Sequence, residues 1–334
     1  MPSQPDTAGP NVRDHTLVRS RPAQQSHHNP ADVPSSFWSV VVDTADAVRR
    51  KFGLKELASL AAAYFCMSLL FQRAAGERLN SQEFLTVLFA FWGLFLQLRL
   101  MDDLADMADD RDGRFSSDSR YSKLAMGLAL AVTSVAIVLL SRTLAALSVF
   151  VLAFGVALLG EFHAKRRIDA ATSKNQIGLL HWLSLAALYE GAPLLMFLYP
   201  MAAWQSPPRI SVAPQYQLLI ALLFWSAYEF WKYSRHVTHP QWNSYGFEWT
   251  GTRRVLLSIL ILSQMIGGAL AFVALVPWKF VFAHVALCGV FGVLVFLGKV
   301  ETSGDHPVSG LMRHIGILFV AALEFEVLLV AYFF

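Results

Sequence analysis

Nine stretches of roughly 16 to 24 residues, nearly free of charge, follow one another from residue 54 to the end of the chain, each about enough to cross a hydrocarbon core of ~30 Å. They lie near 54–73, 84–101, 124–140, 143–160, 178–201, 216–231, 255–276, 279–298 and 311–333. No other feature constrains the fold as strongly. In lipid a backbone must satisfy its own hydrogen bonds, so runs of this length read as helices. Composition agrees: 55% of the 334 residues are apolar and only 15% are charged, well below the charge of an ordinary soluble domain. The expected fold class is an all-α integral membrane protein, a bundle of about nine transmembrane helices spanning residues 51–334.

Residues 1–50 are a different material, rich in Pro, Ser, Gln and His with scattered Arg. Such a segment buries too little apolar surface to offset the entropy of ordering, which predicts a disordered tail. It has no apolar core of the kind a signal peptide needs. Within it, 37–50 has the pattern of a short amphipathic helix at the membrane surface.

Basic residues are unevenly shared between the loops. Arg49, Arg50 and Lys51 precede the first run. Arg111, Arg114, Arg120 and Lys123 follow the second, Lys165, Arg166, Arg167 and Lys174 the fourth, and Lys232, Arg235, Arg253 and Arg254 the sixth. The opposite loops carry only Arg73 and Arg78, Arg142, Arg209 and Lys279. The rich side is expected to be cytoplasmic, which places the N-terminal tail there as well. The net charge of +3 thus reflects topology, and no basic stripe points to nucleic acid. Cys66 and Cys288 fall inside runs one and eight and read as buried thiols without metal spacing.

At the end of the second run, residues 99–114 read RLMDDLADMADDRDGR. On a helix Asp103, Asp106 and Asp110 share one face, and Asp102, Asp106 and Asp109 form an overlapping stripe. Like charges this close repel one another, and negative charge at a helix C-terminus is itself unfavourable. A compensating cation is therefore expected. Hard carboxylate oxygens suit Mg²⁺, which commonly bridges a few acidic side chains to substrate phosphates. Arg114, Arg120 and Lys123 in the adjoining loop are suited to phosphate oxygens. Arg99, one turn before the aspartates, either joins them there or neutralises Asp102 or Asp103.

DDLADMADD, residues 102–110, resembles the first aspartate motif of the UbiA-type intramembrane prenyltransferase superfamily, NDxxDxxxD, with Asp102 in place of the Asn. The match extends to nine helices and a cytoplasmic-facing site, over roughly residues 54–334. DDLAD also reads as the DDxxD of soluble class I terpene synthases, here as convergent chemistry. The superfamily's second acidic motif is eroded. In its place, 227–251 contains no aspartate but holds Glu229, Lys232, Arg235 and Glu248. YEFWK, with Ser244-Tyr245 beyond it and GEF at 160–162, resembles a less-studied branch. The bland reading of Glu229 and Lys232 is an intrahelical pair. His236 and His239 read as loop histidines near phosphate. Glu190, a carboxylate inside run five, is a structural hydrogen-bonding group or a site residue.

What the resemblance implies is specific. Asp102, Asp103, Asp106, Asp110 and Glu229 hold Mg²⁺. Asp103, Asp106, Asp110, Glu229 and Lys232 carry the chemistry. Arg99, Arg114, Arg120, Lys123, Lys232 and Arg235 bind the diphosphate of an isoprenyl substrate of farnesyl or geranylgeranyl class. Ionisation leaves an allylic cation that needs a dry, aromatic chamber, for which Phe91, Trp92, Phe95, Trp182, Trp225 and Trp231 are candidates. The cation then cyclises, as in UbiA-type terpene cyclases, or passes to an aromatic or lipid acceptor, as in prenyltransferases. The eroded second motif, the DDxxD-like start and the aromatic WNSYGFEW favour cyclisation. A transporter, with Glu190 and Arg99 on an ion path, is the reading from another class.

Overall fold

The computed structural model describes residues 54–108, 119–160, 179–205, 210–238, 249–298 and 310–333. Among these residues the chain forms nine helices: α1 (Leu54–Ala75), α2 (Ser81–Ala108), α3 (Ser119–Leu140), α4 (Leu144–Leu159), α5 (Leu179–Ala203), α6 (Pro214–Thr238), α7 (Trp249–Phe272), α8 (Trp278–Leu297) and α9 (Gly310–Phe333). Each apolar run became one helix. The expected amphipathic segment and the tail lie outside the described residues.

Five helices are long and apolar enough to cross a membrane: the spans Leu57–Ala75, Ser81–Asp102, Gly251–Phe272, Trp278–Leu297 and His314–Phe333. Met126–Leu140 and Leu144–Leu159 are apolar but shorter. α6 is not among the five, because Glu229, Lys232 and its Gln, Ser and Tyr residues dilute its apolar stretch. The outward faces of α4, α7, α8 and α9 are apolar, with Leu144, Phe272, Phe282 and Phe333 exposed. A soluble protein would not tolerate so extensive an apolar surface; a bilayer solvates it.

α1, α2, α5 and α6 form a closed ring, each packing on two of the others in the order α1–α2–α5–α6–α1. α3 leans on α2 and α4 on α5, α7 packs on α6, and α8 on α7. α9 fills the remaining gap, touching α1, α6 and α8. The core of this ring is aromatic, with Tyr64, Phe71, Phe91 and Phe197 fully or almost fully buried, while Phe230 of α6 packs on Phe291 of α8 and Phe319 of α9.

The close approaches are set by small residues. A Cβ on Gly316 of α9 would meet Trp231 Cα of α6 at 2.8 Å and would also overlap Ser234 Oγ. Glycine lets these two backbones touch, fixing residue 316 level with residue 231. The α7–α8 turn is tied by Leu275 N–H donating to Leu270 O (2.9 Å) and by Arg73 Nε donating to Leu275 O (2.8 Å). Ala274 adopts φ 58° there, a left-handed conformation that closes helix ends. Within α5, Pro193 has no N–H for the Tyr189 carbonyl. The interrupted ladder lies beside Glu190.

Candidate functional site

The site is built where α5 and α6 bring three charges together. Lys232 Nζ donates to Glu190 Oε2 at 2.7 Å, and Tyr233 OH donates to Glu190 Oε1 at 2.9 Å. Lys232 also stands 3.5 Å from Glu229 Oε2, one turn earlier on α6. Glu229 is the most enclosed member, its side chain 3% exposed, and neither of its oxygens has a hydrogen-bond partner. A buried carboxylate with no donor nearer than the Lys232 ammonium is costly, so the arrangement is incomplete. The intrahelical pair expected for Glu229 and Lys232 exists, but the tighter contact runs between helices, to Glu190. The sequence reading kept Glu190 apart from the second locus; the structure joins them.

Beside this cluster lies a partly open pocket whose empty space, with the solvent at its mouth included, is about 620 Å³. Its wall is apolar and largely aromatic: Phe95 from α2, Phe197 from α5, and Phe224, Tyr228 and Trp231 from α6, with α1 and α9 closing the remainder. Of the aromatics singled out from the sequence, Phe95 and Trp231 line it. Phe91 instead packs in the core, its ring stacked 5.7 Å from Tyr64. Trp92 and Trp225 pack against the core with their Nε1 groups unbonded. The side chain of Trp182 lies outside the described residues. Phe197, Phe224 and Tyr228 were missed, because a helical aromatic declares its facing only once neighbours are known.

Helical register ties the pocket to the acidic motif. On α2, positions 95, 99, 102 and 106 fall on one stripe, so the row that begins with Phe95 in the pocket wall continues into Arg99, Asp102 and the position of Asp106. On α6, positions 224, 227, 228 and 231 form the corresponding stripe, which continues to 235. Phe95 of α2 meets Tyr228 and Trp231 of α6 in the pocket wall. Tyr228 lies within electrostatic reach of Lys232, Glu229, Arg99 and Glu190. Arg99 NH1 is 3.6 Å from Asp102 Oδ2, the neutralising role that the sequence allowed for it.

Asp102, Asp103 and Asp106 occupy the last two turns of α2, and Glu229 is a separate buried carboxylate on α6. Oxygen donors of this kind are what Mg²⁺ takes. Among the described residues no three His, Cys, Asp or Glu side chains are gathered as a metal site. The side chains of Asp103, Asp106, Arg120, Lys123, Arg235 and His236 lie outside the described set, as do Asp110, Arg114, Glu161, His239, Ser244, Tyr245 and Glu248 altogether.

A second buried polar group connects α7, α8 and α9. His284 Nδ1 is 2.9 Å from Glu326 Oε2, and Ser263 Oγ is 3.1 Å from His284 Nε2. Phe280 stacks on the imidazole at 5.4 Å, and Cys288 Sγ lies 3.7 Å from Nε2. Gly267 leaves the space for the ring, since a Cβ there would come within 2.8 Å of His284 Cδ2. Sequence reading passed over all three polar residues, which stand alone in separate helices. Both cysteines are free and buried, as expected.

No protein-family model, no curated protein and no solved structure matches this chain.

Proposed function

We propose that this multi-pass membrane protein is an enzyme that ionises an isoprenyl diphosphate of farnesyl or geranylgeranyl class, with Mg²⁺, and lets the cation cyclise to a terpene. The observation that carries the reading is the continuity of one helix stripe. Phe95 belongs to an apolar aromatic pocket, while Arg99, Asp102 and Asp106 stand one to three turns further along the same row. An amphiphile with a long apolar chain and a polyanionic head needs that juxtaposition. In a transporter the same carboxylates would have no reason to adjoin a dry apolar pocket.

Asp102, Asp103, Asp106, Asp110 and Glu229 would hold the metal, which neutralises charge developing on the departing diphosphate. Lys232 is a fixed ammonium beside the head-group end, held by Glu190 at 2.7 Å so that it needs no reorganisation when charge develops. Arg99, Arg114, Arg120, Lys123 and Arg235 supply further cations at that end. Tyr228 and Trp231 form the part of the wall next to Lys232 and Glu229, where an allylic cation first appears, and their faces attract positive charge. The apolar wall excludes water that would otherwise capture the cation. By the distribution of basic loops, this end faces the cytoplasm and all nine helices span the membrane.

Purified protein in detergent, given farnesyl or geranylgeranyl diphosphate and Mg²⁺ alone, is expected to release diphosphate and a hydrocarbon of mass equal to the prenyl chain less one proton. Turnover that begins only when an aromatic or lipid acceptor is added would replace cyclisation by prenyl transfer.

A further inference from the structure

The floor of the pocket carries a group that head-group chemistry does not use. Glu324 of α9 lines the pocket, is 9% exposed, and its Oε1 has no hydrogen-bond partner. The remaining wall is mostly apolar, with Leu60, Ala63, Phe224, Ala227, Val320 and Leu323, and no basic side chain lines it; its hydroxyls are those of Ser59 and Tyr228. A bundle that needed only shape here would place leucine at 324. A carboxylate on the wall of an apolar pocket, with one oxygen buried and unbonded, is the mark of a group that lacks a proton or a donor.

Its depth follows from helix register. Residue 316 abuts residue 231 at the charged end, and Glu324 lies eight residues further along α9, about 12 Å at the helical rise. α1 agrees, because Cys66 Sγ bonds the Glu324 main-chain oxygen at 3.5 Å while Ser59, two turns earlier, lines the pocket beside Ile317. The two ends of the pocket therefore differ in kind: cations and acidic metal donors at one, a lone carboxylate at the other.

We propose that Glu324 is the proton acceptor that ends the reaction, which rests on the ionisation reading above. The bond between the prenyl carbon and the diphosphate oxygen breaks at the charged end, and its electron pair leaves on oxygen. The chain's own double bonds attack, carrying the positive charge away from the head group and down the pocket. There a C–H bond next to the final cationic carbon breaks. Its electron pair closes a new C=C bond, and the proton passes to the Glu324 carboxylate. The carboxyl returns that proton to water once the product has left. In its ionised form the acceptor also draws the cation toward the floor before the proton moves.

The test compares the full chain with its Glu324→Gln variant in detergent, using farnesyl diphosphate and Mg²⁺, with diphosphate release and product mass read separately. Diphosphate release is expected to continue, while the wild-type hydrocarbon falls about 100-fold and alcohols or differently unsaturated products replace it. An unchanged product mixture with release retained overturns the role of Glu324 and leaves ionisation standing. A wild-type protein that releases no diphosphate overturns the ionisation reading and this role with it. Should Glu324→Gln fail to fold, Glu324→Asp keeps the charge but withdraws it by one methylene. A shifted product ratio is then expected, and an unshifted one overturns the proposal.

Discussion

The polar cluster between α5 and α6 and the one between α7, α8 and α9 are both buried, yet they are completed differently. In the second, Ser263, His284 and Glu326 bond one another in sequence, Phe280 covers the ring, and one oxygen, Glu326 Oε1, stays unbonded. In the first, Lys232 serves two carboxylates, Glu229 keeps two unbonded oxygens, and an empty apolar pocket begins at the next residues of the same helix. The second network joins three helices and borders no pocket among the described residues, whereas the first adjoins an apolar one. A polar cluster beside a pocket has capacity for something that comes and goes. That difference is why the proposed chemistry is sought at α2, α5 and α6, with Ser263, His284 and Glu326 as helix-joining groups.

The contrast can be broken most forcefully at Lys232. Lys232→Met leaves Glu190 and Glu229 buried without their cation and is expected to cost about 3–5 kcal/mol, seen as a lower thermal midpoint in detergent, together with loss of diphosphate release. A midpoint unchanged by this substitution would mean that the three charges are not coupled. Gly316→Ala should come next. Its methyl group meets the Trp231 backbone at 2.8 Å and presses on Ser234, forcing α9 away from α6 at a cost of about 1–3 kcal/mol. Because both helices wall the pocket, turnover should fall with stability. Glu326→Gln is the smallest, about 1 kcal/mol for a weakened bond to His284, with diphosphate release untouched. A collapse of activity in that variant would give the second network a function this account denies it.

The helices were legible from the sequence because hydrocarbon thickness dictates run length, and nine runs became nine helices among the described residues. The membrane-crossing measure is met by five of them: α6 carries the charges of the site, α3 and α4 present shorter apolar stretches, and the first part of α5 has most of its side chains outside the described residues. The acidic motif, Arg99 beside Asp102, and the buried thiols were likewise written locally. What the sequence hid was pairing at long range. Glu190 and Lys232 are 42 residues apart, as are His284 and Glu326; a lone intramembrane polar residue announces a need but not its partner. Glu324 escaped for the same reason. Its significance lies in the apolar residues of α1 and α6 around it, which no pattern along α9 reveals.

The central claim is that diphosphate chemistry belongs to the open end of the α1–α2–α5–α6 ring. It is tested most directly by measuring Mg²⁺-dependent diphosphate release from farnesyl diphosphate for Asp103→Asn/Asp106→Asn and for His284→Gln in parallel, each normalised to folded protein. A fall of about 100-fold or more is expected in the first and wild-type release in the second. Release that survives loss of both aspartates, or that vanishes with His284 alone, would contradict it.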